Sequence, residues 1–360
     1  MISGSDWPAR TARRQRPGVL LVGGYPHASA TIPADSIARF IQRCGRRGCK
    51  PDTDQPVILT ILRMQADLPE LVTIRDLLRY ATSRFNQAGL AFGHGSDNAW
   101  DEAVYLLLHT LHLPLDRLEP FLDARVLPDE RQRFLTLLAR RCDERVPAAY
   151  LTGEAWLQGL RFAVDERVII PRSPISELLA QRLTPWVSDP DSIYSVLDLC
   201  TGSGCLAILA ALAFENAQID AVDISEDALL VAERNIADYG LEGRITTHCS
   251  DLFKQLPDTE YDLIVCNPPY VNSLSMDHLP PEYRHEPAMA LAGGADGMDL
   301  VRDILQSAPD FMSAHGLLVL EIGHEYDHFL AAFPHLDPVW LSTEHAEDQI
   351  LLLTRDHLAP

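Results

Sequence analysis

After residue 195 the sequence alternates short apolar segments of strand length with segments of helix length. A strand followed by a helix needs a crossover connection, which places consecutive strands parallel in one sheet with helices on both faces. The alternation therefore predicts an α/β fold with a Rossmann-like, doubly wound sheet of seven strands. The predicted strands are Val196–Leu199, Ile219–Val222, Arg244–Cys249, Leu263–Cys266, Gly316–Ile322, Val339–Thr343 and Ile350–Thr354, the last two as an antiparallel pair.

The sequence divides into four parts. The first is rich in Arg, Gly and Pro, and we expect a disordered extension or an over-extended start, with Met64 as the alternative initiator. The second repeats apolar residues at three- and four-residue spacing, which predicts a small helical domain that includes helices at Ala99–Leu113 and Leu115–Asp123. The third contains a hairpin, Trp156–Gly159 with Leu160–Val164, and a linker, and the fourth holds the sheet. In order, these parts are residues 1–63, 64–146, 147–194 and 195–360.

Charge is distributed unevenly along the chain, whose formal net charge is −21. Residues 1–63 contain ten basic and four acidic residues, which leaves 20 basic and 47 acidic residues, a net charge of −27, in the remainder. A body of this charge repels the phosphate backbone of nucleic acids and attracts basic partners. We therefore expect a basic protein as partner and no direct binding of nucleic acid.

Cysteine use and hydropathy indicate the compartment. Five of the seven cysteines lie in predicted helices or strands, which favours reduced thiols and a cytoplasmic location over a disulfide framework. Cys44 and Cys49 lack a matching second pair, so no metal site is predicted. No apolar run reaches the length of roughly 18 residues that a membrane span needs, so no membrane association is expected.

The segment Asp262–Tyr270 shows where one predicted strand stops. Its apolar run is followed by Asn267, Pro268, Pro269 and Tyr270, and the two prolines cannot donate backbone hydrogen bonds. Ligands of open α/β sheets bind at the carboxyl ends of the strands. The Asn267 side-chain oxygen and the carbonyl beside the prolines can accept two N–H bonds from a planar amide or amino group, whose face Tyr270 can cover. An ordinary turn after a strand is the alternative explanation.

A turn of small residues follows the first predicted strand. Small residues let the backbone approach a ligand closely, and the next helix offers free N–H groups. Asp223 ends the second strand, where a carboxylate can bind ribose hydroxyls. These features predict a nucleotide-containing cofactor but do not choose which one. The candidate binding residues in the turn are Asp198, Cys200, Thr201, Gly202, Ser203 and Gly204.

Two details favour S-adenosylmethionine over NAD. Asp198 places a carboxylate beside the turn, which suits the ammonium group of S-adenosylmethionine and would repel a pyrophosphate. The corner at Asn267 then follows the fourth strand, at the same edge of the sheet, and Asn267 is itself a candidate cofactor-binding residue. Asp251 and Leu252, after the third strand, are placed for the adenine, the carboxylate for its exocyclic amine and the leucine for its ring. Asp198 or Asp251 alone could instead be a helix cap or a solvated acid.

Together these residues resemble class I S-adenosylmethionine-dependent methyltransferases, and more narrowly the protein-glutamine methyltransferase family that includes the release-factor enzyme. The resemblance covers roughly residues 68–355. Its motifs are specific in combination, whereas the Asn-Pro-Pro-Tyr corner is shared with adenine and guanine amino-methylating enzymes. The matching segments are Ile170–Glu177, Asp198–Gly204, Asp223, Asn267–Tyr270, Glu286–Leu291 with Gly294 and Gly297, and Glu321–Gly323.

The resemblance implies a helical domain that recognises substrate and a catalytic domain that binds S-adenosylmethionine. Release-factor enzymes typically have Pro-Arg-Pro-Asp-Thr-Glu where this chain has the segment Pro171–Glu177, which resembles the sister group that methylates a glutamine of large-subunit ribosomal protein uL3. Release factors are the alternative substrate, and amino-methylation of nucleic-acid bases or a non-catalytic role in ribosome assembly are further alternatives. Cys200 replaces the first glycine of the usual turn, so ordinary backbone angles are expected there.

The corner has an expected mechanism in this family. Asn267 and the Pro268 carbonyl are expected to bind the two N–H groups of the glutamine amide, so that its nitrogen faces the sulfonium methyl. Tyr270 is expected to stack on the amide, and Pro269 belongs to the same rigid corner. Because the nitrogen lone pair is delocalised into the carbonyl, positioning is expected to supply most of the rate gain.

Three further polar residues are near the motifs in sequence. Arg172 is expected to position a loop or one end of the cofactor, or else to form a surface salt bridge with Glu177. His278 and His285 follow the corner in an irregular stretch, and we interpret them as facing solvent or anchoring a loop.

Overall fold

The computed structural model describes residues 70–358. The predicted extension of residues 1–63, the alternative start at Met64 and the pair Cys44 and Cys49 lie outside the described residues. No helix within residues 70–358 is long and apolar enough to cross a lipid bilayer.

Within residues 70–153, four α-helices pack around one apolar core. The first begins with a capping box, in which the Asp76 N–H donates to Thr73 Oγ1 at 3.2 Å and the Thr73 N–H donates to Asp76 Oδ2 at 3.0 Å. It ends at Gly89, which has the left-handed φ of +59° common at helix C-termini. The four helices are α1 (Ile74–Ala88), α2 (Ala99–Thr110), α3 (Pro128–Ala139) and α4 (Ala148–Thr152).

The helix predicted at Leu115–Asp123 is wrong, because this segment contains only a 3₁₀ turn at Glu119–Phe121. Pro120 lies in that turn and lacks the N–H that a continuing helix needs. The backbone after the turn instead caps α1, since its carbonyls at Leu122 and Ala124 accept hydrogen bonds at 2.9 and 3.2 Å from the first turn of that helix.

The predicted hairpin is confirmed. Strands β1 (Glu154–Leu157) and β2 (Leu160–Ala163) pair antiparallel across a two-residue turn. Gln158 and Gly159 both have positive φ, +51° and +74°, which is the backbone of the tight turns that match strand twist. An irregular linker then leads to α5 (Ile175–Ala180). The division into domains at residues 64, 147 and 195 stays a prediction.

The seven-stranded sheet has the order β5-β4-β3-β6-β7-β9-β8, and β9 runs antiparallel to both of its neighbours. The predicted α/β fold and its final antiparallel pair are therefore confirmed. The strands are β3 (Ser195–Leu199), β4 (Gln218–Asp223), β5 (Ile245–Cys249), β6 (Tyr261–Cys266), β7 (Met312–Glu321), β8 (Val339–Leu341) and β9 (Ile350–Thr354).

Helices cover both faces of this sheet. Because side chains alternate along a strand, Val196 of β3 joins one apolar core and Leu197 joins the other. The first core includes residues of α5, α6 and α7, and the second includes residues of α9, α10 and α11. The helices of this part are α6 (Cys205–Ala213), α7 (Glu226–Asp238), α8 (Ser273–His278), α9 (Asp299–Phe311), α10 (Tyr326–Ala332) and α11 (Arg355–Leu358).

The chain reverses its direction of travel across the sheet between β3 and β6. It passes from β3 outward through β4 and β5, and then returns to β6 on the other side of β3. Leu199 and Cys266 pair at the carboxyl ends of these two strands. Such a switch point opens a crevice at the carboxyl edge, which is where the predicted site residues lie.

Candidate active site

Asp223 holds the turn that follows β3. Its Oδ2 accepts a hydrogen bond from the Gly202 N–H at 2.9 Å, and its Oδ1 accepts one from the Ser225 N–H at 3.0 Å. The Thr201 N–H donates to the Val222 carbonyl at 2.8 Å. Burial raises the pKa of Asp223. Each carboxylate oxygen keeps a further lone pair, so Asp223 can also accept hydrogen bonds from ribose hydroxyls.

Ser203 and Gly204 seat the start of α6 against α7. The Ser203 carbonyl accepts a hydrogen bond from Asn235 Nδ2 at 2.8 Å. Gly204 has a φ of +79°, and a Cβ at this position would lie only 3.1 Å from Ala232 Cβ. Both the backbone angle and the close approach of the helices therefore favour glycine.

Cys200 has a φ of +64°, so the expectation of ordinary backbone angles is wrong. The turn keeps its left-handed conformation with cysteine in place of glycine, at a cost of roughly 1–3 kcal/mol. The physical reason is that the N–H groups of the next two residues are tied to the end of β4, one to the Val222 carbonyl and one to the Asp223 side chain. The Cys200 side chain lines the cavity described below, in space that a glycine would leave open.

Asp198 is fully buried beneath the turn. Its Oδ2 accepts hydrogen bonds from Thr201 Oγ1 at 2.5 Å and from the Ala207 N–H at 2.9 Å. Its Oδ1 is buried and has no hydrogen-bond partner among the described residues. Burial raises the pKa of Asp198 to about 7. A buried oxygen without a donor can be stabilised by a cationic group such as an ammonium. Asp198, Thr201, Ser203 and Gly204 are not among the residues that line the cavity described next, so Asp198 lies behind its wall.

A cavity of about 240 Å³, here named the cofactor cavity, lies at the carboxyl ends of the central strands. The predicted cofactor residues on its wall are Cys200, Gly202, Asp223, Asp251, Leu252 and Asn267. Apolar side chains that the sequence does not reveal as site residues also line the wall, among them Ile169, Ile224, Met289 and Leu300. Ile224 and Met289 are each 55% exposed, and this exposure of large apolar side chains is the signal that marks a ligand surface once a structure is known.

Asp251 and Leu252 lie on this wall in a strained turn. Leu252 has a φ of +52°, and its carbonyl accepts a hydrogen bond from Ser250 Oγ at 2.7 Å. Asp251 Oδ2 accepts one from Lys254 Nζ at 2.6 Å. Left-handed backbone at a residue other than glycine persists where the surroundings hold it, and such residues cluster at ligand sites.

The Asn-Pro-Pro-Tyr corner lies between the cofactor cavity and a second cavity of about 450 Å³, here named the acceptor cavity. Pro268 and Tyr270 line the acceptor cavity, and Pro269 lines the cofactor cavity. Asn267 lines both. A group bound in one cavity can therefore meet a group bound in the other beside Asn267.

Tyr270 is fixed by its surroundings. Its hydroxyl donates to Glu321 Oε1 at 2.9 Å, and Ser173 Oγ donates to Glu321 Oε2 at 2.5 Å. A Cβ at Gly323 would overlap the Tyr270 ring, and a Cβ at Gly297 would overlap its carbonyl oxygen. These two glycines make room for the tyrosine, and the protein sets the orientation of its ring.

Glu321 is expected to make the folded protein less stable as the pH rises from about 4.5 to about 7. Burial raises the pKa of Glu321 to about 7, although the bonds from Ser173 and Tyr270 oppose this. Within this window the folded carboxyl holds a proton that the unfolded carboxyl, with a pKa near 4.3, has lost, so the free energy of unfolding falls by roughly 3 kcal/mol. Urea unfolding at pH 5 and pH 8 measures the effect.

Two variants test the assignment of this pH dependence. Glu321→Gln removes the titrating group, so its free energy of unfolding is expected to differ less between pH 5 and pH 8 than that of the unmodified protein. Glu119→Gln, at an exposed position, is expected to keep the full difference. If Glu321→Gln also kept the full difference, a different group would be responsible.

Arg172 pairs with Glu286 rather than with Glu177, so the surface-salt-bridge alternative is wrong. Arg172 Nη1 and Nη2 donate to the two oxygens of Glu286 at 2.5 and 2.9 Å. The Glu286 side chain is fully buried and also accepts a hydrogen bond from the Ile170 N–H at 2.9 Å. Glu177 is engaged elsewhere, with His345 Nδ1 at 2.9 Å. Arg172 thus ties its own loop to the segment after the corner, and it lines the acceptor cavity.

Arg172→Gln is expected to lower the free energy of unfolding by about 3 kcal/mol, because it removes the partner of a buried carboxylate. Burial alone opposes ionisation of Glu286, but the His94 ring, whose Nε2 lies 3.5 Å from Glu286 Oε2, and the charge of Arg172 lower its pKa to about 2. Chemical unfolding at pH 7 measures the loss. Arg133→Gln, which breaks an exposed pair with Asp129, is expected to cost less than about 1 kcal/mol. Equal losses in the two variants would contradict the argument.

His278 and His285 lie outside the residues that line the acceptor cavity. Their ring nitrogens are 2.8 Å from the Leu274 carbonyl and 2.9 Å from the Glu144 carbonyl, respectively. These contacts agree with the interpretation of both as loop-anchoring residues. Among residues 70–358 no group of three or more His, Cys, Asp and Glu side chains is arranged to hold a metal ion.

Known protein families match both the helical part of this chain and the part that contains the sheet. Residues 174–279 match the family described as Methyltransferase small domain, and residues 76–153 match the PrmC N-terminal domain. The ribosomal protein uL3 glutamine methyltransferase of Bordetella pertussis is 69% identical over 289 residues, which cover 80% of this chain and 97% of the relative. Proteins of the same name are 60% identical in Burkholderia pseudomallei, covering 79% and 95%, and 56% identical in Neisseria meningitidis serogroup A, covering 80% and 95%.

These matches cover 95–97% of the length of the relatives. The predicted resemblance and the predicted cofactor, S-adenosylmethionine, are confirmed. The chain belongs to the ribosomal protein uL3 glutamine methyltransferase family.

Proposed function

We propose that this enzyme transfers a methyl group from S-adenosylmethionine to the side-chain amide nitrogen, N5, of a glutamine in ribosomal protein uL3. The observation that carries the proposal is the position of Asn267, on the wall shared by the cofactor and acceptor cavities. A glutamine amide bound there is adjacent to a methyl donor bound on the other side. The substrate is the one in the name of relatives that are 56–69% identical.

The proposed mechanism rests on orientation. A glutamine amide nitrogen is a weak nucleophile, and bound S-adenosylmethionine supplies a methyl group activated by its sulfonium charge. Asn267 Oδ1 and the Pro268 carbonyl accept the two N–H bonds of the amide, while Tyr270, held by Glu321, covers its plane. Pro268 and Pro269 keep the corner stiff. In well-oriented systems such positioning supplies roughly 7–11 kcal/mol. As the nitrogen forms its bond to the methyl carbon, the carbon–sulfur bond of the bound donor would break, and one N–H proton of the amide would be lost to water in the acceptor cavity.

The proposed cofactor contacts follow the same edge of the sheet. Asp223 accepts hydrogen bonds from ribose hydroxyls, Asp251 accepts one from the adenine amine, and Leu252 packs on the adenine ring. Asp198 Oδ1 faces the ammonium group. The unpaired state of that buried oxygen among the described residues and the apolar wall of the cofactor cavity support this arrangement.

Charge supports a basic protein as substrate. Residues 64–360 carry a net charge of −27, which favours encounter with a basic ribosomal protein and disfavours nucleic acid. The helical domain takes part in recognising this protein, and a release factor is the alternative substrate. The reaction takes place in the cytoplasm, where ribosomal proteins are made, and the five described cysteines are free, as expected there.

The proposal is tested with methyl-labelled S-adenosylmethionine and three separate acceptors, namely unmethylated uL3, a release factor and ribosomal RNA. Label is expected in uL3, and peptide mapping is expected to place it on a glutamine. Label in the release factor alone would replace uL3 with the alternative substrate. Label in RNA alone would overturn protein methylation altogether.

A further inference from the structure

One wall of the acceptor cavity comes from a loop after the corner. Leu279, Pro280 and Tyr283 of this loop line the cavity. The Tyr283 ring is close to two side chains, with the His94 ring centroid 4.3 Å from its own centroid and the Arg172 Cζ 5.4 Å from it. Guanidinium and aromatic contacts of this kind favour one orientation of the ring. Tyr283 is therefore a fixed aromatic surface in the same cavity as Tyr270.

The residue before Tyr283 points into the helical part of the chain. Glu282 is fully buried, and its Oε1 accepts hydrogen bonds from the Ala91 N–H at 3.1 Å, Arg141 Nη1 at 3.3 Å and Arg145 Nη1 at 3.2 Å. Burial opposes its ionisation, but these donors lower its pKa, so it is charged at neutral pH. A charged carboxylate with three donors resists displacement, and it fixes the backbone that carries Tyr283.

The two arginines extend this contact to α1 and α2. Arg141 is 1% exposed and donates to Glu102 Oε1 of α2 at 2.7 Å and to the Ala91 carbonyl at 2.9 Å. Arg145 donates to the carbonyls of Ala88 and Gly89, at the end of α1, at 2.5 and 3.1 Å. Two arginines thus balance Glu102 and Glu282, and the network joins the helices to the acceptor wall without leaving a net charge.

We infer that Glu282 is a positioning residue for the methyl acceptor, through which the helical part of the chain holds Tyr283 against the protein segment that carries the target glutamine. This inference rests on the proposed function and adds to it. In this inference, α1 and α2 contribute to the reaction by fixing the wall of the acceptor cavity that contains Tyr283. Glu282 and its arginine partners do not line the cofactor cavity, so S-adenosylmethionine binding does not depend on them.

Kinetics with uL3 test the inference at a temperature well below unfolding of every variant. Tyr283→Ala and Glu282→Gln are each expected to raise KM for uL3 about tenfold, with little change in kcat and an unchanged Kd for S-adenosylmethionine. Because Glu282 acts through Tyr283, the double variant is expected to match Tyr283→Ala rather than multiply the two effects. Tyr283→Phe keeps the ring and is expected to retain the normal KM, as is Glu242→Gln at an exposed control position.

Several results would overturn the inference. An unchanged KM in Glu282→Gln, or effects that multiply in the double variant, would show that Glu282 does not act through Tyr283. If Glu282→Gln did not fold, Arg145→Gln would decide, since this side chain is 27% exposed and its loss is expected to raise KM about threefold. An unmodified enzyme that fails to methylate uL3 would sink the proposed function, whereas an active enzyme with variants of normal KM would sink the positioning role alone.

Discussion

Replacing Asn267 with alanine is expected to lower the rate of methyl transfer to uL3 about a hundredfold to a thousandfold while leaving the affinity for S-adenosylmethionine nearly unchanged. The side chain supplies one of the two acceptors that orient the substrate amide at the wall between the cavities. Loss of one such preorganised bond costs about 10²–10³ in kcat in comparable enzymes. Asp223 and Leu252 still line the cofactor cavity in the variant, so the Kd by calorimetry is expected to move little.

Two further variants make this expectation specific. Asn267→Asp keeps a side-chain oxygen that accepts an N–H bond, so it is expected to retain more transfer than the alanine variant. Asn216→Ala removes an exposed amide whose Nδ2 lies 3.0 Å from the Asp191 carbonyl, and it is expected to behave as the unmodified enzyme. Transfer that survived in Asn267→Ala at the unmodified rate would show that the corner does not hold the acceptor amide.

The sheet and the corner were accessible from the sequence because their signals are local. Apolar segments of strand length, each followed by a helix-length segment, determine a parallel sheet, and prolines after an apolar run mark where a strand stops. Asp223 is the last residue of its strand, and Asn267 directly follows its strand. Their meeting at one edge then follows from the parallel arrangement of β3, β4 and β6, without any knowledge of side-chain contacts.

Contacts between distant segments were not accessible in this way. Arg172 and Glu286 are 114 residues apart, whereas Glu177 was an obvious partner only because it is near in sequence. The left-handed angle of Cys200 arises from hydrogen bonds between the turn and the end of β4, which override the preference of a residue with a Cβ. The apolar wall at Met289 likewise depends on how the loop after the corner folds back.

Gly297 and Gly323 belong to the segments that carry the family resemblance, and the structure shows why glycine is needed at each position. Gly297 and Gly323 lie against Tyr270, one at its backbone and the other at its ring. The same ring is held through its hydroxyl by Glu321, two residues before Gly323. The two glycines thus help to set the orientation of the Tyr270 ring. They do so because a larger side chain at either position would overlap the tyrosine, and not because they take part in the reaction.

Gly323→Ala is therefore expected to lower kcat about a hundredfold with a smaller effect on the Kd for S-adenosylmethionine. The added Cβ would overlap the Tyr270 ring while Glu321 holds the hydroxyl, so the ring is forced out of the plane that covers the amide. The φ of +53° adds about 1–2 kcal/mol of backbone strain in the alanine variant. Initial rates and circular dichroism at the assay temperature separate lost activity from lost folding.

The chain offers a matched control at Gly240. Its φ is +65°, yet a Cβ there would meet no atom within 4 Å. Gly240→Ala thus carries the same kind of backbone strain without the overlap, and it is expected to lose about 1–2 kcal/mol of stability but keep its kcat. Equal kcat values in the two variants would mean that the orientation of Tyr270 is not what limits transfer. A lower kcat in Gly323→Ala alone would assign the loss to the displaced Tyr270 ring, because both variants have backbone strain but only this one has the overlap.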